Sequence, residues 1–474
     1  MLPAERRITI VGAGLVGSFL AICLKHKGYE VEIFEKRPDP RAGKGASAGR
    51  SINLIVTSRG LNALENAGLL PEVMKIVVPV YGRAIHSREG QIAFQPYGRD
   101  RSECNYSISR ARLNEFLIDE AERIGVKIHF SKALSSLNLE QKMAQFEGGP
   151  LGGTVSIAYD LMLVAEGAGS VARHELVKAL GPSEHEATTW LSADYKELLM
   201  PVETNQSVGL EPLDKNALHI WPRGSHMLMG LPNLDGSFTM TLYLPKRGGA
   251  TSFEKVKRAA DVRSLFESEF IDAAKRMPSY IDEFLDHPQG ALGTVRTTKW
   301  VFKDSLALIG DAAHAIVPFF GQGMNLGFED CTCLMRALEN SGGDWAKALE
   351  HYDREQRPNA NAIADMALEN FIEMGDKAGR ADFQLRKKIE SAIESKYPDI
   401  YRSRYGMITY TLIPYALAQE AGRIQDTILD EICASTPEVA AINFAQAKHL
   451  IEQKLVPYMK ANNLNIEKYR PKRG

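Results

Sequence analysis

Gly12-Ala13-Gly14-Leu15-Val16-Gly17 follows the β-branched run Arg7-Ile8-Thr9-Ile10-Val11 and opens an apolar, helix-periodic stretch over 15–27. The run suits a short strand buried in a parallel sheet. Gly12 permits a tight turn, Gly14 lets the backbone approach a pyrophosphate, and Gly17 lets the helix lie close on the strand. That helix aims its first amides and positive dipole end at the phosphates. A second strand over 30–34 ends at Glu35, about twenty residues beyond the glycines, where a carboxylate accepts hydrogen bonds from ribose hydroxyls. The acid disfavours a 2′-phosphate, so NADPH is not the expected occupant. A chance glycine turn is the competing reading. The order strand, turn, helix, strand, acid weighs against it.

A second glycine-rich element identifies the dinucleotide. Residues 305–309 (Ser-Leu-Ala-Leu-Ile) read as another buried strand, ended by Gly310-Asp311-Ala312-Ala313-His314. Pro318-Phe319-Phe320-Gly321-Gln322-Gly323-Met324-Asn325 then leads into a helix expected to run through Glu339. Asp311 can accept hydrogen bonds from ribityl or ribose hydroxyls. Free amides at the helix start would stabilise negative charge on the N1–C2=O edge of a reduced flavin. An Asp N-cap before a core helix is the plainer reading of the same residues. Recurrence of this element after the first favours one tightly held FAD.

At 474 residues the chain is too long for one core, and two or three domains are expected. A hydrophobic fraction of 44% and a net charge of −2 suit a globular protein with no electrostatic reason to bind nucleic acid or anionic membrane. The cysteines Cys23, Cys104, Cys331, Cys333 and Cys433 are scattered, and we read all of them as reduced core thiols. No metal site is expected. The fold class is α/β, with a Rossmann-type FAD-binding domain over 1–75, 98–180 and 291–360. A substrate-side sheet takes 76–97 and 181–290, including meander strands over 219–222, 227–231 and 238–244 joined by Asn233-Leu234-Asp235-Gly236 turn chemistry. Residues 361–474 read as a C-terminal helical lid. The glycine run 148–153 reads as a loop or hairpin tip, since no helix follows it to bind phosphate.

With both glycine elements in place, the chain resembles the single-component aromatic-hydroxylating FAD monooxygenases, the para-hydroxybenzoate hydroxylase-like family. Its middle fingerprint is present as Glu166-Gly167-Ala168-Gly169-Ser170-Val171-Ala172-Arg173, with Glu166 where the family has Asp. Further stretches are similar to the kynurenine-hydroxylating branch of that family. They are Gly49-Arg50-Ser51-Ile52-Asn53-Leu54, Arg83-Ala84-Ile85-His86-Ser87, Pro96-Tyr97-Gly98, Leu218-His219-Ile220-Trp221-Pro222-Arg223, Val317 to Asn325, and Glu369-Asn370-Phe371-Ile372-Glu373-Met374. The resemblance covers about residues 7–410. It implies NADPH- and O2-dependent hydroxylation of L-kynurenine to 3-hydroxykynurenine through a flavin C4a-hydroperoxide. The flavin carries that chemistry, so no catalytic side chain is assigned. Only one G-x-G-x-x-G unit is visible, so NADPH is expected to visit transiently. The apolar stretches 408–418 and 439–447 are too short to span a bilayer, which points to a cytoplasmic enzyme of bacterial type. A homodimer is left open. A flavin-dependent halogenase is disfavoured because no two tryptophans stand two residues apart. A non-catalytic FAD-fold binding protein is disfavoured by retention of Asp311 and Gly321–Asn325.

For the substrate, the resemblance implies Arg83 as a bidentate clamp on the α-carboxylate. It adds Tyr97 as a hydroxyl donor, Asn370 and Tyr405 as further polar contacts, and Phe238, Pro318 and Phe319 as walls for the ring. The bland alternatives are a surface ion pair for Arg83 and plain core for Tyr97 and the phenylalanines. For the cofactor, Gly12, Gly14, Gly17, Glu35, Asp311, Gly323, Met324 and Asn325 come from the two elements. Val16, Phe34, Lys36, Arg37, Ile55, Arg110 and Leu134 come from the resemblance. Arg112 rivals Arg110, since both are expected to precede a helix over 113–124. His86, His219 and His314 read as structural, with no carboxylate at useful spacing.

Overall fold

The computed structural model describes residues 6–42, 52–148, 152–202, 211–249, 251–374 and 380–471. Gly49-Arg50-Ser51, residues 149–151 of the glycine run and the terminal Lys472-Arg473-Gly474 lie outside them. The chain divides into two compact units. Met1–Ile76, Ile108–Leu191 and Gly293–Ala364 form the first; Val77–Ser107, Ser192–Leu292 and Asp365–Gly474 form the second.

The first unit is built on a six-stranded sheet. β1 (Arg7–Val11) lies inside it, parallel to β2 (Glu30–Phe34) on one side and to Leu161–Val164 on the other. Lys127–His129 continues the sheet beyond β2, and Leu306–Leu308 then Val301–Phe302 complete the far side. Ile8, Ile10, Val11 and all of Leu161–Val164 are buried, as strands covered on both faces must be. The helix α1 (Leu15–His26) buries Phe19, Leu20, Ile22 and Leu24. Phe19 stacks on Phe328 of the helix Gly323–Asn340 with ring centroids 4.4 Å apart, which fixes the two glycine elements side by side. The strands on either side of the glycine run, Met143–Glu147 and Thr154–Ala158, pair antiparallel.

The second unit is built on antiparallel pairing. Ala217–Pro222, Met227–Pro232 and Phe238–Pro245 form a meander, and the turn after the second of these is held by Asp235, whose carboxylate accepts from Ser237 N–H at 3.0 Å. Gly82–His86 runs parallel to Ala217–Pro222, and Ile92–Pro96 pairs outside it as the edge strand. Trp221, Leu228, Met240 and Leu242 point from this sheet into a core shared with Val262, Phe266 and Phe270. Burying side chains of this size contributes about 1.5–3 kcal/mol each.

The unit boundaries differ from those expected. Residues 98–107 group with the second unit because Asn105–Ser109 pairs with Val78–Val80. The expected boundary at 361 falls inside one continuous helix, Trp345–Ile372, which accommodates Pro358. Residues 365–474 group with the sheet unit. None of the five cysteines, all of them among the described residues, is in a disulfide, but Cys23 and Cys433 are half-buried, so the expectation of core thiols holds for Cys104, Cys331 and Cys333 only. No helix among the described residues is long and apolar enough to cross a membrane.

Candidate functional site

Three glycines of the first element are glycines for different reasons. Gly12 has φ +104°, and a Cβ there would overlap the carbonyl oxygen of Ala165. A Cβ on Gly17 would overlap the carbonyl oxygen of Gly12. Gly14 has an ordinary φ of −74°, and among the described residues no atom outside its own chain neighbours and helix backbone lies within 4 Å of where its Cβ would stand. Among the described residues nothing requires glycine there. The space above the turn suits a pyrophosphate drawn close to the backbone.

Glu35 is 4% exposed, and its carboxylate is already oriented. Oε2 accepts from Ala13 N–H at 2.8 Å, and Oε1 accepts from Arg37 N–H at 2.8 Å and Arg37 Nε at 2.9 Å. Burial opposes the charge, but the bonds from Arg37 and Ala13 outweigh it and hold the carboxyl below its usual range. A carboxylate accepts at about four lone-pair sites, so acceptor capacity is left for a ribose. These residues fit FAD. The Phe34 ring stacks on Phe146 at 4.2 Å and on His129 at 4.6 Å, and its carbonyl accepts from Gly12 N–H at 2.8 Å. Leu134 is buried, while Lys36 and Arg37 are exposed. The expected order at Arg110 also changes. The helix is Arg110–Arg123, capped by Ser109, so Arg110 and Arg112 both stand exposed in its first turn and remain alternatives.

Beneath the second element lies a carboxylate that sequence reading missed. Asp330 is fully buried on the helix Gly323–Asn340. It accepts from Gly310 N–H at 2.9 Å, and its Oδ2 lies 2.6 Å from His314 Nε2. His314 therefore has the carboxylate partner that local spacing did not reveal. The place of Asp330 between the apolar Leu326 and Leu334, one turn before and after it, was the available signal, because a buried charge needs a partner. Arg173 holds the same turn from the other side, donating to Ala312 O at 3.0 Å and Ala168 O at 2.8 Å while pairing with Glu186. Gly310, with φ +61°, rests on Val16, and Asp311 is left exposed at the strand end. Glu166 caps the helix Val171–Leu180, accepting from Ser170 Oγ at 2.7 Å and Ala172 N–H at 3.0 Å, and burial raises its carboxyl above the usual range. Asn325 is fully buried. It accepts from Thr57 N–H at 2.9 Å and donates to Ile55 O and Gly321 O, both at 2.8 Å. Its side chain thus ties the loop to the strand Asn53–Val56, and the amides of Gly323 and Met324 begin the helix. Pro318 is exposed and Phe319 buried in this unit.

The His314–Asp330 pair carries a pH prediction. Burial disfavours the imidazolium, but the Asp330 carboxylate outweighs it, so His314 titrates above its ordinary value. A histidine raised in the folded state contributes stability below its unfolded value of about 6.5, and that contribution fades as pH rises through the folded value. Removing one partner of such a buried pair costs about 3–5 kcal/mol. His314→Gln is therefore expected to destabilise the FAD-free protein more at about pH 6 than at about pH 9. Thermal unfolding across that range measures it, and an equal loss at both ends would contradict the assignment.

In the second unit, Arg83 stands half-buried on Gly82–His86 between two tyrosines. Its Nε donates to Tyr97 Oη at 3.4 Å, and its guanidinium carbon lies 5.4 Å from the Tyr97 ring centroid and 5.8 Å from that of Tyr405. The two rings stack at 5.4 Å and 18°. Tyr405 Oη accepts from Asn105 Nδ2 at 2.9 Å. Burial keeps both tyrosine hydroxyls protonated. Burial also opposes the Arg83 charge, but the two tyrosines and Glu373 outweigh it. Among the described residues no carboxylate reaches ion-pair distance of Arg83. A cation so placed fits an anionic group brought from outside. Asn370 is buried, with Nδ2 3.6 Å from Met374 Sδ.

Phe238 is a correction. Strand register puts Arg83, Leu218, Met229 and Thr241 on one face of the sheet and His219, Trp221, Met240 and Phe238 on the other. Phe238 belongs to the core, edge-on to His219 at 5.3 Å. His86 shares that face, 3.1 Å from Asp272 Oδ2 and 2.9 Å from His219 Nδ1. A carboxylate partner exists here too, supplied by the helix Ile271–Ala274.

The FAD binding domain family matches residues 5–367. A kynurenine 3-monooxygenase of Myxococcus xanthus is 38% identical over 454 residues, covering 96% of this chain and 96% of that one. One of Flavobacterium psychrophilum is 40% identical over 431 residues, covering 91% and 94%. Among solved structures, the tetrameric form of 2-methyl-3-hydroxypyridine-5-carboxylic acid oxygenase superposes with a TM-score of 0.63 at 19% identity, covering 79% of this chain and 94% of that one. That likeness speaks for the fold.

Proposed function

The chain belongs to the FAD-dependent kynurenine 3-monooxygenase family, and we propose that it hydroxylates L-kynurenine to 3-hydroxykynurenine using NADPH and O2. The observation that carries this reading is Arg83, a cation flanked by Tyr97 and Tyr405 with no carboxylate at ion-pair distance among the described residues. Bound FAD supplies the electron transfer and oxygen activation. The protein's residues bind and orient. Arg83 takes the α-carboxylate of kynurenine in a bidentate fork, and the Tyr97 hydroxyl donates beside it. Asn370 and Tyr405 serve as further polar contacts. Gly14 and the helix start behind it receive the pyrophosphate, and Glu35 receives the ribose. Asp311 and the amides of Gly323 and Met324 serve the flavin end. NADPH docks transiently, and the enzyme works in the cytoplasm.

Purified protein is expected to be yellow, with one FAD per chain. L-Kynurenine is expected to accelerate flavin reduction by NADPH in stopped flow and to appear as 3-hydroxykynurenine. Reduction equally fast without the amino acid, with no hydroxylated product, would overturn the reading.

A further inference from the structure

We propose that Glu103, acting with Arg402, is a positioning residue that holds Tyr97 and Tyr405 together around Arg83. The inference rests on the functional reading above, since it concerns the same substrate groups.

Glu103 lies against the turn that carries Tyr97. A Cβ on Gly98 would overlap Glu103, so glycine is what allows the turn to settle on that side chain. Oε1 of Glu103 accepts from Arg99 Nε at 3.2 Å and Nη2 at 2.9 Å, and Oε2 accepts from Arg99 N–H at 3.0 Å. The same Oε2 takes Arg402 Nη2 at 2.9 Å. Arg402 is 3% exposed, and its other arm bonds Glu394 of the helix Ala381–Lys396 at 2.5 Å. Its carbonyl accepts from Gln425 Nε2 at 2.6 Å. The helix Arg404–Tyr410, which carries Tyr405, begins directly on this guanidinium: a Cβ on Gly406 would stand 2.6 Å from Arg402 Nε.

Two bonds therefore clasp the same pair of segments. Glu103 holds Arg402, and Asn105 holds Tyr405. Arg99, Glu103, Arg402 and Glu394 alternate in sign, so the group is balanced internally and does not recruit Arg83. Buried ion networks seldom add stability over apolar side chains of equal volume, and fixing one arrangement is their better-attested use. Here the arrangement fixed is the stacked tyrosine pair.

Glu103→Gln keeps the shape and one acceptor but removes the charge that satisfies two guanidinia. In the holoenzyme it is expected to raise KM for L-kynurenine about tenfold, with kcat changed less. More of the NADPH oxidised should be recovered as hydrogen peroxide, while FAD content stays at the wild-type level. Combined with Tyr405→Phe, its effect on KM should be less than additive, because both act on one ring. Arg402→Lys carries the same expectation if Glu103→Gln fails to fold, and it should retain more affinity than Arg402→Met. A lowered Tm with KM and peroxide yield within twofold of wild type would show a merely structural role and overturn the proposal. Wild-type protein that neither binds nor hydroxylates L-kynurenine overturns this inference together with the functional reading. An active wild type beside an unaffected Glu103→Gln overturns this inference alone.

Discussion

Arg83→Ala is expected to lower kcat/KM for L-kynurenine by roughly 30- to several-thousand-fold, a loss of about 2–5 kcal/mol of transition-state binding. The alanine leaves the substrate carboxylate without a cation. Tyr97 and Tyr405 can still donate, but neutral donors do not replace a charge-assisted fork. Arg83→Lys should recover only part, because an ammonium cannot reproduce the planar two-point contact. FAD content should not change, since Arg83 lies in the second unit and both glycine elements in the first. A kynurenine analogue lacking the carboxylate separates this role from a packing defect. It should bind wild type and the alanine variant with similar weakness. If the alanine variant discriminates against that analogue as strongly as wild type does, Arg83 is not the clamp.

What could be read from sequence divides along the reach of each interaction. The first glycine element is local: strand, turn, helix and acid lie within β1, α1 and β2, and each residue's requirement follows from backbone geometry. The partners that hold the sites are not local. Asp330 reaches His314 across 16 residues, Asp272 reaches His86 across 186, and Asn105 reaches Tyr405 across 300. No spacing rule carries such pairs. Only a charge stranded on an apolar face, as at Asp330, announces that a partner is needed. Phe238 is different, because strand alternation alone decides its face. Along Phe238–Pro245, Phe238, Met240, Leu242 and Leu244 alternate with Thr239, Thr241 and Tyr243, so the more apolar row should face the core. The resemblance drew Phe238 to the substrate, and the period of two placed it with Trp221.

The contrast between Gly14 and Gly17 gives the second large effect. Gly17→Ala places a methyl inside the carbonyl of Gly12, and backbone cannot yield as a flexible side chain can. Overpacking a rigid contact costs about 1–3 kcal/mol and more where nothing moves, so this variant should be destabilised even without FAD. The Gly14→Ala methyl meets none of the packed atoms of the described residues. As the N-cap of α1 it should lose about 0.5–1 kcal/mol, the ordinary difference between glycine and alanine at that position. Its methyl would stand where the backbone must approach the pyrophosphate, so FAD should bind about 100-fold more weakly, a loss of about 2.7 kcal/mol. Thermal unfolding of the FAD-free variants and fluorescence titration with FAD read the two quantities separately. One glycine then answers to the fold and the other to the ligand. Equal loss of stability in both FAD-free variants, or wild-type FAD affinity in Gly14→Ala, would show that the open space above Gly14 is not the pyrophosphate site.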